Sequence, residues 1–226
     1  MAPDTRSGSG HGLVLVRRSP AAVTRWLRKG MVSTTVAPLG AWTGITLSRE
    51  QAHTASPYDV GLELMAARPT PRRAKPAIGF FELHGRAALT VQPAGIRGGH
   101  HWLVWEPRRG VVETPDLTRL PLSMLLDASG ASGRVRAEAV ADVLTSGHGS
   151  PLDLLVTVLG LLGLPGKDLL LRRSSEGATE VEPSPRAVMA FDRLMADEAT
   201  HRVEMAVDEP PVRPTGADPR STGPSS

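Results

Sequence analysis

Residues 76–112 read PAIGFFELHGRAALTVQPAGIRGGHHWLVWEPRRGVV, and this stretch decides the fold. It holds two of the chain's three phenylalanines and two of its four tryptophans. Glycine adopts positive φ without cost, and histidine tolerates it better than most residues, so His84-Gly85 predicts a two-residue hairpin turn. The turn joins predicted strands at residues 77–83 and 87–92. In the resulting register, Phe81 faces Ala88 and Phe80 faces Leu89.

A third strand is predicted at residues 100–106, after a wider loop. Successive side chains of a strand point to opposite faces, so Trp102 and Val104 project to one side and Leu103 and Trp105 to the other. The strand is therefore apolar on both faces, which is typical of a central strand covered on both sides.

The rest of the chain predicts helices around this sheet. Four Ser-Pro pairs, at residues 19, 56, 150 and 184, are typical of helix starts. The serine side chain accepts a hydrogen bond from a backbone N–H that has no partner within the helix, and proline at the first helical position lacks only an N–H that would have had no such partner. Asp153 adds an approximate capping box to the third pair. Strands are predicted at residues 13–17, 42–48 and 169–172. Helices are predicted at residues 20–29, 57–67, 117–128, 134–146, 151–162 and 185–204.

The fold class expected is α+β. The sheet is expected to be mixed, to end in an antiparallel three-stranded meander at about residues 76–112, and to be covered by N-terminal helices and a C-terminal helical region. We divide the chain into a disordered tail at residues 1–11, a sheet domain at 12–113, a helical region packing on it at 114–207, and a second disordered tail at 208–226. The tails are rich in Pro, Gly, Ser and Asp and have little apolar surface to bury.

Composition excludes several classes of function. The chain has no cysteine, which rules out disulfides, thiol catalysis and thiolate metal sites. The longest apolar run, residues 152–164, is too short to cross a bilayer, and the first residues lack the apolar run of a secretory signal. We expect a soluble, cytoplasmic protein with no membrane partner; the sequence does not indicate its oligomeric state.

Three motifs resemble catalytic or ligand sites, and each has a simpler interpretation. His100-His101 would point to opposite faces of a strand and could not readily share a metal ion. His148, Ser150 and Asp153 lack the G-x-S-x-G elbow of a hydrolase, and the cap already explains the serine and aspartate. The segment GLLGLPGKD at residues 160–168 fails the P-loop signature and is better read as a helix end. The sequence thus predicts no catalytic residue, no metal site and no cofactor.

Charge gives the one functional indication. All but three of the 26 basic residues are arginine, and the net charge of +3 is divided unevenly. Residues 12–113 carry +8 and residues 114–226 carry −5. Such polarity serves either an acidic partner or the joining of the protein's own two halves. The residues we select as a surface for a partner or polyanion are Arg17, Arg18, Arg72, Arg73, Arg108 and Arg109.

These arginines lead to three alternative functions. The first is a non-enzymatic binding or regulatory module that engages a macromolecular partner, such as an acidic protein, through a basic N-terminal face. The second is nucleic-acid binding, with Trp102 and Trp105 available to stack on bases. The third is a small-molecule enzyme with an arginine-lined pocket, which a closed pocket lined by Arg and His would favour.

Overall fold

The computed structural model describes residues 10–54, 56, 58–95, 99–133, 137–173 and 175–207, with side chains described up to residue 197. Within these residues the chain forms eight strands and seven α-helices, which confirms the α+β class. The strands are β1 (Gly12–Val16), β2 (Thr34–Leu39), β3 (Trp42–Leu47), β4 (Ala77–Leu83), β5 (Arg86–Gln92), β6 (His101–Glu106), β7 (Gly110–Val112) and β8 (Thr179–Val181). The helices are α1 (Pro20–Leu27), α2 (Gly61–Ala67), α3 (Leu122–Ser129), α4 (Ala137–Thr145), α5 (Pro151–Leu161), α6 (Lys167–Leu170) and α7 (Pro185–Val207).

The eight strands form one sheet in the order β7-β6-β5-β4-β1-β3-β2-β8. Every pair of neighbouring strands is antiparallel, so the expectation of a mixed sheet is wrong in this respect. The reason is β2, which the sequence analysis missed. Because β2 and β3 form a hairpin, β3 returns beside β1 in the opposite direction.

The predicted hairpin is confirmed residue by residue. His84 and Gly85 both have positive φ, 51° and 72°, and join β4 to β5. Phe81 pairs with Ala88, and Phe80 pairs with Leu89. The meander continues into β6 and then into a fourth strand, β7, so β6 has partners on both sides but lies second from the edge of the sheet rather than at its centre.

Helices cover both faces of the sheet. On one face α1 and α2 enclose a core that includes Val23, Leu27 and Met65. On the other face α3, α4, α5 and α6 pack around a larger core that contains Leu103 and Trp105, whereas Trp102 packs against the first core. The predicted opposite orientation of the two tryptophans is confirmed.

Three of the four Ser-Pro pairs stand directly at the start of a helix, and the helix after the pair at residue 56 begins later than predicted. Ser150 and Asp153 form the predicted capping box at the start of α5, and the Ala187 amide donates to the Ser184 hydroxyl at the start of α7. Pro20 is the first residue of α1. The helix predicted from Pro57 begins instead at Gly61; Pro57 lies outside the described residues, as do residues 134–136 at the start of the predicted fourth helix.

Two elements of the C-terminal half differ from those predicted. The strand predicted at residues 169–172 is wrong, because Lys167–Leu170 is a helical turn. The C-terminal half also contributes β8 to the sheet, through its pairing with β2.

One compact unit extends to Val188, and a second begins at Met189 within α7. Residues 1–9 and 208–226 of the predicted tails lie outside the described residues, while the His11 carbonyl accepts from the Glu82 amide at 2.7 Å.

Candidate functional site: a basic end of the sheet

Four of the six selected arginines lie at one end of the sheet. Arg17 and Arg18 directly follow the last residue of β1, Val16, which pairs with Ala77, the first residue of β4. Arg72 and Arg73 belong to a 3-10 turn that ends three residues before Ala77. The antiparallel register therefore brings the two arginine pairs to the same end of neighbouring strands, and all four residues are exposed. We call these four residues the basic end.

The guanidinium of Arg17 is held in a defined position. It lies 4.6 Å from the centre of the Trp42 ring, a cation–π geometry. Its Nη2 also donates to the Ser129 carbonyl, at 3.3 Å, at the C-terminus of α3. A cation at a helix C-terminus is favoured by the helix dipole, so the side chain is fixed without a carboxylate partner.

The loop that carries Arg72 and Arg73 is tied to the sheet by Gln92. The Gln92 side chain accepts from the Thr70 amide at 2.7 Å and donates to the Arg68 carbonyl at 3.0 Å. The turn itself is closed by a bond from the Ala74 amide to the Pro71 carbonyl. Because the backbone is fixed on both sides, the two arginine side chains project from a stable support.

Arg108 and Arg109 lie at the opposite end of the sheet, in the turn between β6 and β7. Arg109 forms an ion pair with Glu106, at 2.8 Å, within the same turn. Arg108 has a φ of 68°, and its amide donates to the Gly147 carbonyl. The structure thus does not bring these two residues together with the other four.

The charge asymmetry is only partly cancelled by ion pairs. Among the described residues, ion pairs between the two halves of the chain connect Glu182 to Arg49 and His53, and Arg172 to Glu50. In the same part of the chain, none of the four arginines of the basic end, nor Arg108, forms an ion pair with a carboxylate. Joining of the two halves therefore does not account for the charge of the basic end.

The tryptophans that nucleic-acid binding would require are occupied by packing. Trp105 is fully buried. Trp102 packs against the core beneath α1 and α2, and its ring lies 4.5 Å from that of His100. Trp42 is buried beneath Arg17. Trp105 and Trp42 therefore offer no free face for base stacking, and Trp102 is only partly exposed.

The adjacent histidines differ in their surroundings. The Nε2 of His100 is buried and has no hydrogen-bond partner within the described structure. Burial, together with the nearby His101 and Lys75, lowers the pKa of His100 to about 4. The Nδ1 of His101 is hydrogen-bonded to the Arg119 carbonyl instead, at 3.1 Å. In the described ranges no three His, Asp or Glu side chains are grouped so that they could hold a metal ion.

A second polar cluster, which the sequence analysis missed, joins residues far apart in the chain. The Ser33 hydroxyl donates to the Glu182 carboxylate at 2.5 Å and lies 2.7 Å from the Nε2 of His53. Glu182 contacts that same nitrogen at 3.2 Å, and the hydrogen bond from Ser33 lowers the pKa of Glu182. In a nucleophilic triad the acid orients the other ring nitrogen. Ser33 is also fully buried, so this cluster anchors β8 and the segment after β3 and does not present a nucleophile.

A third polar group, Arg68, closes the C-terminus of α1. Its Nη2 donates to the Trp26 carbonyl at 2.7 Å, and its guanidinium lies 4.5 Å from the centre of the Trp26 ring. Burial lowers the pKa of Arg68 to about 10, so it remains charged at neutral pH. A small cavity that Arg68 helps to line has a volume of about 10 Å³, room for about one water molecule.

Comparison of the chain with protein-family models, with curated proteins and with solved structures finds no match. No helix in the described part of the chain combines the length and apolar character needed to span a bilayer.

Proposed function

We propose that this protein is a non-enzymatic binding module whose basic end, formed by Arg17, Arg18, Arg72 and Arg73, engages an acidic surface of a partner protein. The observation that supports it most is the convergence of four exposed arginines, none of them in an ion pair within the described structure, at one end of two neighbouring strands. A guanidinium presents five donors in a planar fork, which suits bidentate contact with carboxylates.

The support beneath these residues is suited to recognition. Binding costs less free energy when the contacting groups are already ordered in the free protein. Arg17 is held over Trp42, and the loop preceding β4 is tied down by Gln92. Exposed charges in this arrangement accelerate encounter with an acidic partner more than they strengthen the final complex.

The packing of the tryptophans favours a protein partner over nucleic acid. Recognition of single strands depends on aromatic faces that stack on bases. Here Trp105 is buried, and Trp102 packs on the core and against His100. Binding of a duplex through its phosphates needs no such rings, so it is kept as the alternative outcome of the experiment.

The experiment measures binding of the full chain to poly-glutamate, as a generic acidic polypeptide, and to duplex DNA over a range of salt concentrations. The test variant is Arg72→Glu, and the matched control is Arg108→Glu. Both positions are exposed, neither is in an ion pair within the described structure, and both changes alter the net charge equally. We expect Arg72→Glu to weaken binding to poly-glutamate about threefold to tenfold, mainly through slower association, and Arg108→Glu to have little effect.

Two results would overturn this proposal. Equal weakening by both variants would mean that only the net charge matters. Tight duplex binding, with a salt slope that falls by about one for each arginine removed from the basic end, would assign the surface to nucleic acid instead.

A further inference from the structure

A cleft opens at the end of the sheet opposite the basic end, where β1 and β3 separate. The two strands are paired only from Val16 to Val14 along β1. Beyond that point Gly12 and Leu13 stay paired with β4, and Thr46 and Leu47 stay paired with β2. The cleft between them has a volume of about 640 Å³, which lies in the usual range for small-molecule sites.

The lining of the cleft has an apolar and a hydroxyl-bearing part. Leu62 from α2 and Leu169 from α6 belong to the apolar part. Leu62 lies directly against Gly10 and Gly12, since a Cβ on either glycine would be within 2.5 Å of its side chain. The hydroxyls belong to Thr35 and Thr46, which face each other across β2 and β3, and to Ser48.

Three arginines and two glutamates supply the charge of the lining: Arg49, Arg172, Arg173, Glu50 and Glu180. Arg172 is fixed, because its Nη1 donates to Glu50 at 3.1 Å and its Nη2 donates to the Gly10 carbonyl. Its φ of 57° is a conformation in which glycine is usual. An arginine at this position stabilises the cleft wall through its side chain at some cost in backbone strain.

Arg49 and Arg173 are held more weakly. Each makes one contact with a carboxylate outside the cleft lining, Arg49 with Glu182 at 3.5 Å and Arg173 with Asp168 at 3.3 Å. Their side chains are 64% and 67% exposed. Exposed ion pairs of this kind are worth little, so either guanidinium can turn to another anion at small cost.

We propose that this cleft binds a small organic acid, with its carboxylate on Arg49 and Arg173 and its apolar body against Leu62 and Leu169. The lining itself holds three arginines and two glutamates, and the carboxylate partners of Arg49 and Arg173 lie outside it, so the ligand's carboxylate would replace Glu182 and Asp168 on these guanidiniums. The site is separate from the basic end and does not depend on the proposed protein partner.

Benzoate and benzamide are suitable probes, because they share size and shape but only benzoate is charged. Each is titrated into the full-length, isotope-labelled protein while backbone amide resonances are followed by NMR. We expect benzoate to shift the resonances of Thr35, Thr46 and Leu47 in a saturable way and benzamide to bind far more weakly. Benzamide binding as well as benzoate, or no saturable shift in the cleft up to the solubility limit of benzoate, would refute the proposal.

Substitution of the arginines tests their assignment. Arg49→Gln and Arg173→Gln should each weaken benzoate binding about twofold to fivefold, the usual effect of losing an exposed ion pair. The control, Arg108→Gln, removes an exposed arginine outside the cleft lining and should leave the affinity unchanged. If Arg108→Gln weakens binding as much as the other two, the effect is nonspecific attraction of anions and the cleft is not the site. Wild-type affinity in both Arg49→Gln and Arg173→Gln would likewise overturn the proposal.

Discussion

Replacement of Trp105 by alanine tests whether β6 is packed on both faces. Trp105 is fully buried in the larger core, and truncation of a buried tryptophan costs about 3 to 5 kcal/mol. Its Nε1 has no hydrogen-bond partner in the described structure, and such a buried donor already costs about 1 to 3 kcal/mol, which the substitution removes. We therefore expect a loss at the lower end of the range, about 3 kcal/mol.

Two further variants separate the effect of the unpartnered Trp105 N–H from that of ring packing, and the packing on one face of β6 from that on the other. Trp105→Phe keeps most of the apolar surface and removes the unpartnered N–H, so it should cost about 1 kcal/mol or less. Trp102→Ala truncates a ring that is only partly buried, on the opposite face, and should cost about 1 to 2 kcal/mol. The expected order of destabilisation is Trp105→Ala, then Trp102→Ala, then Trp105→Phe.

The assay is urea unfolding followed by far-ultraviolet circular dichroism, which does not depend on the fluorescence of the substituted tryptophan. An unchanged m-value with a lower midpoint would assign the effect to stability. A loss below about 1 kcal/mol for Trp105→Ala, or a larger loss for Trp102→Ala, would contradict the packing described for β6.

The meander could be predicted in detail because its determinants are local. His84-Gly85 fixes the turn, and the turn fixes the register of the strands on either side. The alternation of large apolar residues along β6 then fixes which side chains face each core. Long-range information was not needed for any of these features.

The missed strand β2 shows how a local rule fails at an edge. Pro38 lies within β2, although proline cannot donate to a ladder and is usually absent from strands that have neighbours on both sides. β8 pairs only with residues Thr34 to Val36 of β2, so the ladder on that side of β2 ends before Pro38 and the missing donor costs no ladder bond with β8. The error at residues 169–172 is of another kind, because a short apolar run fits a buried helical turn as well as a strand.

The candidate sites could be predicted less well, because they depend on which distant segments meet. Arg17 and Arg72 were selected by charge alone, and the pairing of β1 with β4 is what places them at one end of the sheet. The same pairing separates them from Arg108. The cleft arises where β1 and β3 cease to pair, and nothing in the composition of either strand indicates that point.

Two further predictions concern buried polar groups. The pKa of His100 is about 4 in the folded protein, against an ordinary value of 6.5. As the pH falls, His100 therefore takes up a proton in the unfolded chain before it does so in the folded protein. The contribution of neutral His100 to the free energy of unfolding is fully present above pH 6.5 and is lost between pH 6.5 and 4. Allowing for partial exposure, the wild type should lose about 1 to 2 kcal/mol more than His100→Asn over this interval in urea unfolding, and parallel pH profiles would exclude this role. The last prediction concerns Gly30, where a Cβ would lie 2.0 Å from the Nη1 of Arg68. That guanidinium can move aside only by losing its bond to the Trp26 carbonyl and its contact with the Trp26 ring, so Gly30→Ala should cost about 1 to 3 kcal/mol. In an Arg68→Met background the collision is relieved and the cost of Gly30→Ala should fall below about 1 kcal/mol. Equal costs in the two backgrounds would mean that Gly30 is required for some reason other than the room it leaves for Arg68.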